Sequence, residues 1–195
     1  MPHTLLAPAD FVQDIKKSRF IGKAAPIASE EEARAFLASV SDPAANHNCW
    51  AWRIGQAYRF SDDGEPSGTA GKPILQAIDG QDLDGVVVVV TRFFGGILLG
   101  SGGLMRAYGG TAAQMLRQAE KREIIPMVTG GCAVGFSDLA LVRARLTAFP
   151  HLVLAEAFTA EGVDLTVTLR QGDEDQAARL VRDLTSGRSS LDFPD

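Results

Sequence analysis

The sequence predicts an α+β chain of two domains, and three observations carry that prediction. Strand and helix patterns interleave through the first 120 or so residues, in the order β-β-α-β-β-α-β-α. A charged patch, Glu120-Lys121-Arg122-Glu123, is followed by Pro126, which argues against a helix running further. Beyond it the order becomes β-α-β-β-α with a last short strand, the ferredoxin-like succession. The expected domains are 1–123 and 124–195.

Phe11–Lys17 and Phe20–Ile27 read as paired strands, the second the weaker. Ser29-Glu30-Glu31-Glu32 is a capping box opening a helix whose apolar positions, Ala33, Phe36, Leu37 and Val40, recur at helical spacing. Asp42-Pro43 ends it. Asn48–Ile54 and Tyr58–Ser61 read as strands, and a polar loop, Asp62–Thr69, leads to a short helix around Pro73–Ile78. Val86–Thr91 contains five consecutive valines, a pattern suited to burial on both faces of a sheet. The helix after it carries Leu104, Ala107, Tyr108, Thr111, Ala112, Met115, Leu116 and Ala119 on one stripe. In the second part Ser137-Asp138 starts a helix with Leu139, Val142, Leu146 and Phe149 inward. Leu152–Phe158 is a strand, Val163–Arg170 alternates as a half-exposed strand, and Asp173–Leu184 is a helix.

The valine strand, the glycine-dense turn Gly95–Gly103 and the long helix carry the first functional signal. Glycines let a backbone take positive φ and approach a ligand closely. A helix start offers free N–H groups and a partial positive charge. With Arg92 and Arg106 flanking it, this combination suits an anion such as phosphate or an RNA backbone. It is neither a Walker loop nor a dinucleotide fingerprint. The competing reading is a tight connection in which glycines only permit packing. The sequence expectation for Arg92→Ala is weaker anion binding with little change in thermal midpoint.

Bulk properties bound the partners. Of 195 residues, 46% are hydrophobic and 22% charged, ordinary for a globular protein. No run approaches a membrane span and nothing near Met1 resembles a signal peptide. Two cysteines, Cys49 and Cys132, indicate no disulfide framework, so a reducing cytoplasm is the default. The net charge of -5 gives no bulk case for nucleic acid. Six basic and ten acidic residues follow Glu123, against 13 and 14 up to it, so any anion site is local and lies in the first part.

Two further constellations stand out. His47-Asn48-Cys49-Trp50 places His47 and Cys49 on one face of a strand, the spacing of a nucleophile and its base. With His3 and His151 distant, a zinc site is incomplete, and a buried packing cysteine is the favoured reading. The loop Asp62-Asp63-Gly64-Glu65-Pro66-Ser67-Gly68-Thr69-Ala70-Gly71 lacks EF-hand spacing and reads first as helix capping and loop order, then as a cation or acid–base site.

Taken in order, Lys17–Gly22, His47–Ala51, Asp62–Gly71, Thr91–Gly96, Gly100–Leu104 and Arg106–Gly110 closely resemble the bacterial YigZ branch of the IMPACT family. The match covers nearly all of residues 11–120. The family pattern has lysine where this chain has Leu98, and threonine in place of Ser101. The resemblance implies a first domain like the second domain of small-subunit ribosomal protein five and a ferredoxin-like second domain. Eukaryotic relatives in that family regulate translation, so the resemblance implies a regulatory role, and no catalytic residue is expected.

The expected function is therefore a non-enzymatic protein binding RNA, the ribosome or a translation-related protein. The expected binding face comprises His47, Asp62, Asp63, Glu65, Ser67, Thr69, Arg92, Gly95, Gly96, Gly100, Ser101, Gly102, Gly103 and Arg106. No cofactor, structural metal or membrane association is expected, and oligomeric state is left open. The alternative is an enzyme acting on a phosphorylated small molecule, with Asp62, Asp63 or Glu65 holding magnesium.

Overall fold

Residues 2–194 are described by a computed structural model of the chain. The architecture is α+β, and the chain divides into two units, Met1–Ile124 and Ile125–Asp195. In chain order the first unit contains β1 (His3–Leu5), β2 (Ala9–Ile15), β3 (Ser18–Pro26), α1 (Glu30–Val40), β4 (His47–Ile54), β5 (Ala57–Ser61), α2 (Gly71–Asp79), β6 (Val86–Phe93), α3 (Ser101–Gln118) and β7 (Lys121–Glu123).

Five of these strands form an antiparallel sheet in the order β2-β3-β6-β4-β5. The valine strand β6 lies at its centre and is buried on both faces. Val86, Val88 and Val90 pack against α2 and α3, and Val87 packs against Trp52, Ala33 and Ile27 on the side of α1. Burying one valine is worth roughly 1.5–3 kcal/mol, which makes this strand the anchor of the unit. The expected capping box forms with its return contact shifted by one residue, to the amide before the N-cap Ser29. The Ser29 hydroxyl accepts from the Glu32 amide at 3.2 Å, and the Glu32 carboxylate accepts from the Ala28 amide at 2.7 Å.

Three details differ from the sequence reading. The first strand ends at Ile15 because Lys16 and Lys17 form a two-residue hairpin turn with φ of 47° and 68°. Such turns are normally signalled by Asn-Gly, and here two lysines occupy the left-handed region. The strand read as the weaker of the pair, β3, is nine residues long and pairs on both edges. The charged patch, read without secondary structure, contains the short strand β7, which pairs antiparallel with β1.

The second unit contains β8 (Met127–Gly135), α4 (Phe136–Leu146), β9 (Val153–Phe158), β10 (Gly162–Arg170) and α5 (Glu174–Leu184). Its sheet runs β8-β10-β9, antiparallel throughout. On β10 the apolar residues Val163, Leu165, Val167 and Leu169 are buried and meet Val142, Leu146, Ala177 and Val181 of the two helices. The last short strand is reduced to an isolated bridge between Asp192 and Gly131. Asp138 does not cap α4; its carboxylate pairs with Arg188 at 2.8 Å, and Gly135 precedes the helix without a side-chain cap. Among the described residues no helix is long and apolar enough to cross a membrane.

Candidate functional site

The period of two along β6 decides where Arg92 goes. Val86, Val88 and Val90 face α2 and α3, so Arg92, two residues on, continues that face at the end of the strand. Register places Phe20 opposite it on β3 and His47 opposite it on β4, a transverse row under the start of α3. The Phe20 ring meets the Tyr108 ring edge-on at 5.3 Å and 89°. The Arg92 guanidinium lies over Phe20 at 5.6 Å and over Phe94 at 5.3 Å.

Glu65 descends from the polar loop onto this row. Its Oε1 accepts from Arg92 Nη1 at 2.6 Å and from the Tyr108 hydroxyl at 2.7 Å. Arg92 Nη2 donates to the Ser18 hydroxyl at 3.4 Å, and Ser18 Oγ also accepts from the Gly95 amide at 3.2 Å. Only Arg92 Nε is buried without a partner among the described residues. His47 Nδ1 donates to the Asp63 carbonyl at 2.7 Å. A carbonyl only accepts, so this contact fixes a proton on Nδ1, while Nε2 lies 3.8 Å from Glu65 Oε1.

Asp62 and Asp63 build the loop rather than face a ligand. The Asp62 carboxylate accepts from the amides of Gly68, Ala70 and Gly71 at 2.8, 3.0 and 2.8 Å, capping the start of α2. Burial alone would raise its carboxyl, but these three amides prevail and hold it below the ordinary value. Asp63 Oδ2 accepts from the Asn48 amide at 2.6 Å, and the Thr69 hydroxyl donates to the Pro66 carbonyl at 2.6 Å. The Cys49 thiol lies below, donating to the Asp62 carbonyl at 3.0 Å, and burial pushes it up to about 12. Burial likewise raises the Tyr108 phenol. Neither group is available as a nucleophile near neutral pH.

Above the row opens a cleft of about 410 Å³, with Glu65, His47 and Arg92 at its base and Gly100 and Ser101 on one rim. Pro66, Phe94, Leu98, Leu99 and Leu104 supply an apolar wall. Gly100, at φ 71°, precedes α3 without any side-chain cap, so the helix presents its positive end to the cleft. The base is electrically balanced, because the Arg92 charge is held by Glu65, with 6% and 4% of the two side chains exposed. What remains for a ligand is apolar contact, the α3 amides and the His47 ring edge at Nε2. Among the described residues no group of three His, Cys, Asp or Glu is placed to hold a metal ion.

The cleft thus gathers His47, Glu65, Arg92, Gly100 and Ser101 of the residues singled out in the sequence. Gly95 and Gly96 shape the approach: a Cβ on Gly95 would meet the Lys17 carbonyl, and Gly96 sits at φ 85°. Gly102 and Gly103 lie in the first turn of α3, and Ser67 is exposed on the loop. Arg106 does not join the cleft. It lies one turn into α3, beside a shallow hollow bordered by Pro73, Gln76 and Gly109. Arg92 also departs from its expected part as a solvent-facing anion ligand, since the row buries it. Sequence reasoning missed Ser18, Phe94, Leu99 and the hydroxyl of Tyr108. Only Tyr108 carried a signal, because a tyrosine on a core stripe needs a partner for its O–H.

Comparison with known proteins matches both parts of the chain to described domains. Residues 16–116 match the Impact N-terminal domain, and residues 132–188 match a domain of unknown function, DUF1949. A Thermus thermophilus protein named IMPACT family member in pol 5′ region is 50% identical over 175 residues, 89% of this chain and 97% of its own length. The IMPACT family member YigZ of Escherichia coli is 48% identical over 147 residues, 72% of each chain. The Protein IMPACT homolog of Saccharomyces cerevisiae is 41% identical over 93 residues, 43% of this chain and 35% of its own. A solved structure, described as that of a hypothetical protein, superposes with a TM-score of 0.72 at 36% identity, covering 99% of this chain and 97% of the other. With its first domain matched over residues 16–116 and a relative alike over nearly its whole length, the chain belongs to the IMPACT family.

Proposed function

We propose that this protein is a non-enzymatic regulator acting in the cytoplasm on translation, and that its cleft takes a segment of a protein partner. One observation carries the reading: the cation at the base of the cleft is neutralised by Glu65 at 2.6 Å, while the wall is apolar. A site built for an RNA backbone keeps its arginines exposed toward phosphate. This one instead offers Leu98, 84% exposed, with Phe94 beside it and the uncapped helix end above. That combination fits a peptide with an apolar side chain next to a carbonyl or carboxylate acceptor.

Co-sedimentation with ribosomes across a salt series tests it, comparing the wild type with Leu98→Glu. The expected result is association that survives added salt and is lost in Leu98→Glu. Association that vanishes with salt and is indifferent to Leu98→Glu would identify RNA backbone contact instead. No association at any salt would remove the ribosome as the partner.

A further inference from the structure

The second unit holds a cleft of about 580 Å³, lined by the end of α4, the turn after it and one side of α5. Arg145, Arg170 and Arg179 line it, half of the six arginines that follow Glu123. Their gathering runs against the acidic balance of this part of the chain. It is also selective. Arg143, two residues before Arg145 on the same helix, is locked to Glu156 by contacts of 2.7 and 2.6 Å. Arg188 is held by Asp138 at 2.8 Å. Arg145 and Arg179 form no ion pair among the described residues. Asp175 stands one helical turn before Arg179, a spacing at which a pair forms easily, yet Arg179 borders the cleft, as does Asp183 one turn further on.

The rest of the lining narrows what such arginines meet. Phe149, Pro150 and Leu180 give the cleft an apolar surface, and Asp173 and Asp183 bring two carboxylates to it. A bare inorganic anion would use the arginines alone, whereas the edges of Phe149 and Leu180, which pack against the core on their other side, leave the cleft an apolar surface that a larger ligand covers. We propose that this cleft binds a nucleoside phosphate group. The phosphate meets Arg145 and Arg179, the sugar hydroxyls donate to Asp173 or Asp183, and the flat base lies against Phe149 and Leu180. A volume of 580 Å³ is ample for one such group. Guanidinium groups match phosphate oxygens with paired donors, and a cleft wall raises the worth of each contact over open solvent. The same chemistry arrives from two sources, a free nucleotide or the 5′ end of an RNA.

The test is an amide chemical-shift titration of the full chain with adenosine 5′-monophosphate and, separately, with a 5′-phosphorylated trinucleotide. Adenosine and inorganic phosphate serve as partial ligands. Saturable shifts confined to the segments around 145–150 and 170–183 are expected, with each partial ligand binding at least about tenfold more weakly than the whole. Saturation by the mononucleotide identifies the free nucleotide as the source; saturation by the trinucleotide alone identifies an RNA end. Arg145→Gln with Arg179→Gln should weaken binding at least about tenfold, the loss of one or more charge-assisted contacts. Both side chains are exposed and unpaired, so unchanged shifts elsewhere verify the fold. Absence of saturable shifts in these segments with either probe at millimolar concentration overturns the proposal. So do shifts indifferent to the double substitution, or inorganic phosphate binding as tightly as the mononucleotide. None of these outcomes touches the cleft of the first unit, whose test is separate.

Discussion

Glu65 Oε1 lies 2.6 Å from Arg92 Nη1, on side chains that are 4% and 6% exposed. An ion pair this deep is worth little against an apolar replacement of the whole, but removing one partner strands the other charge away from water. Arg92→Ala should therefore destabilise the first unit by about 3 kcal/mol, roughly 10 °C in thermal midpoint. This reverses the sequence expectation that the fold would not notice. Arg92→Ala combined with Glu65→Gln should recover part of the loss, because the stranded carboxylate is gone. Thermal unfolding of the single and double variants checks both, and a midpoint unchanged in Arg92→Ala would place the pair in effective contact with solvent.

Asp62 makes the first unit sensitive to acid. Its folded carboxyl sits below the ordinary value of 3.8, so the charged form is the one the three amides stabilise. That contribution is complete above pH about 4 and is lost as the pH falls through the lower folded value. Asp62→Asn keeps an acceptor oxygen but not the charge. It should cost about 1–2 kcal/mol at neutral pH and flatten the acid limb of the stability profile. Urea midpoints of wild type and Asp62→Asn between pH 3 and 7 are the measurement; parallel profiles would show that the charge contributes nothing.

How much of this was legible before any coordinates depends on what each residue's role rests on. The five valines, the stripe from Leu104 to Leu116 and the alternation of β10 announce themselves, because burial enforces a period. The capping box is a local device and reads locally. The turn at Lys16-Lys17 does not, since its positive φ values are imposed by the pairing of β2 with β3. The same division holds at the site. The two loops were visible as glycine and acidic clusters. That Arg92 is buried could be seen only through register, which sets it between Phe20 and His47 across strands far apart in sequence. The arginines of the second unit were hidden for the same reason. Nothing in their spacing shows that Arg145 and Arg179 border one cleft while Arg143 is taken by Glu156.

The glycines separate into those the fold needs and those it tolerates. A Cβ at Gly95 would collide with the Lys17 carbonyl, a backbone group that cannot step aside without breaking the hairpin turn. Gly95→Ala should cost at least about 2 kcal/mol. Gly110 lies inside α3 with nothing within 4 Å of its would-be Cβ. Gly110→Ala should gain about 0.5–1 kcal/mol from helix propensity alone. Denaturant unfolding of the two variants should thus move in opposite directions, and a stabilising Gly95→Ala would mean that the turn and the 94–96 segment are not in contact.

Cys49 and Cys132 should both be silent thiols in the native protein. Burial raises Cys49 to about 12 and Cys132 to about 11, where an unfolded cysteine titrates near 8.5. Near neutral pH the native Cys49 is thus far less ionised than the same thiol in the unfolded chain. Alkylation should proceed only through opening of the unit that holds each thiol, so its rate reports local stability. Cys49 should respond to Arg92→Ala, which loosens the first unit, while Cys132 keeps its wild-type rate. Mass spectrometry of the two cysteine peptides after a timed pulse of iodoacetamide distinguishes them. Rapid labelling of Cys49 in the wild type would contradict the buried, hydrogen-bonded thiol and reopen its pairing with His47 as a nucleophile and its base.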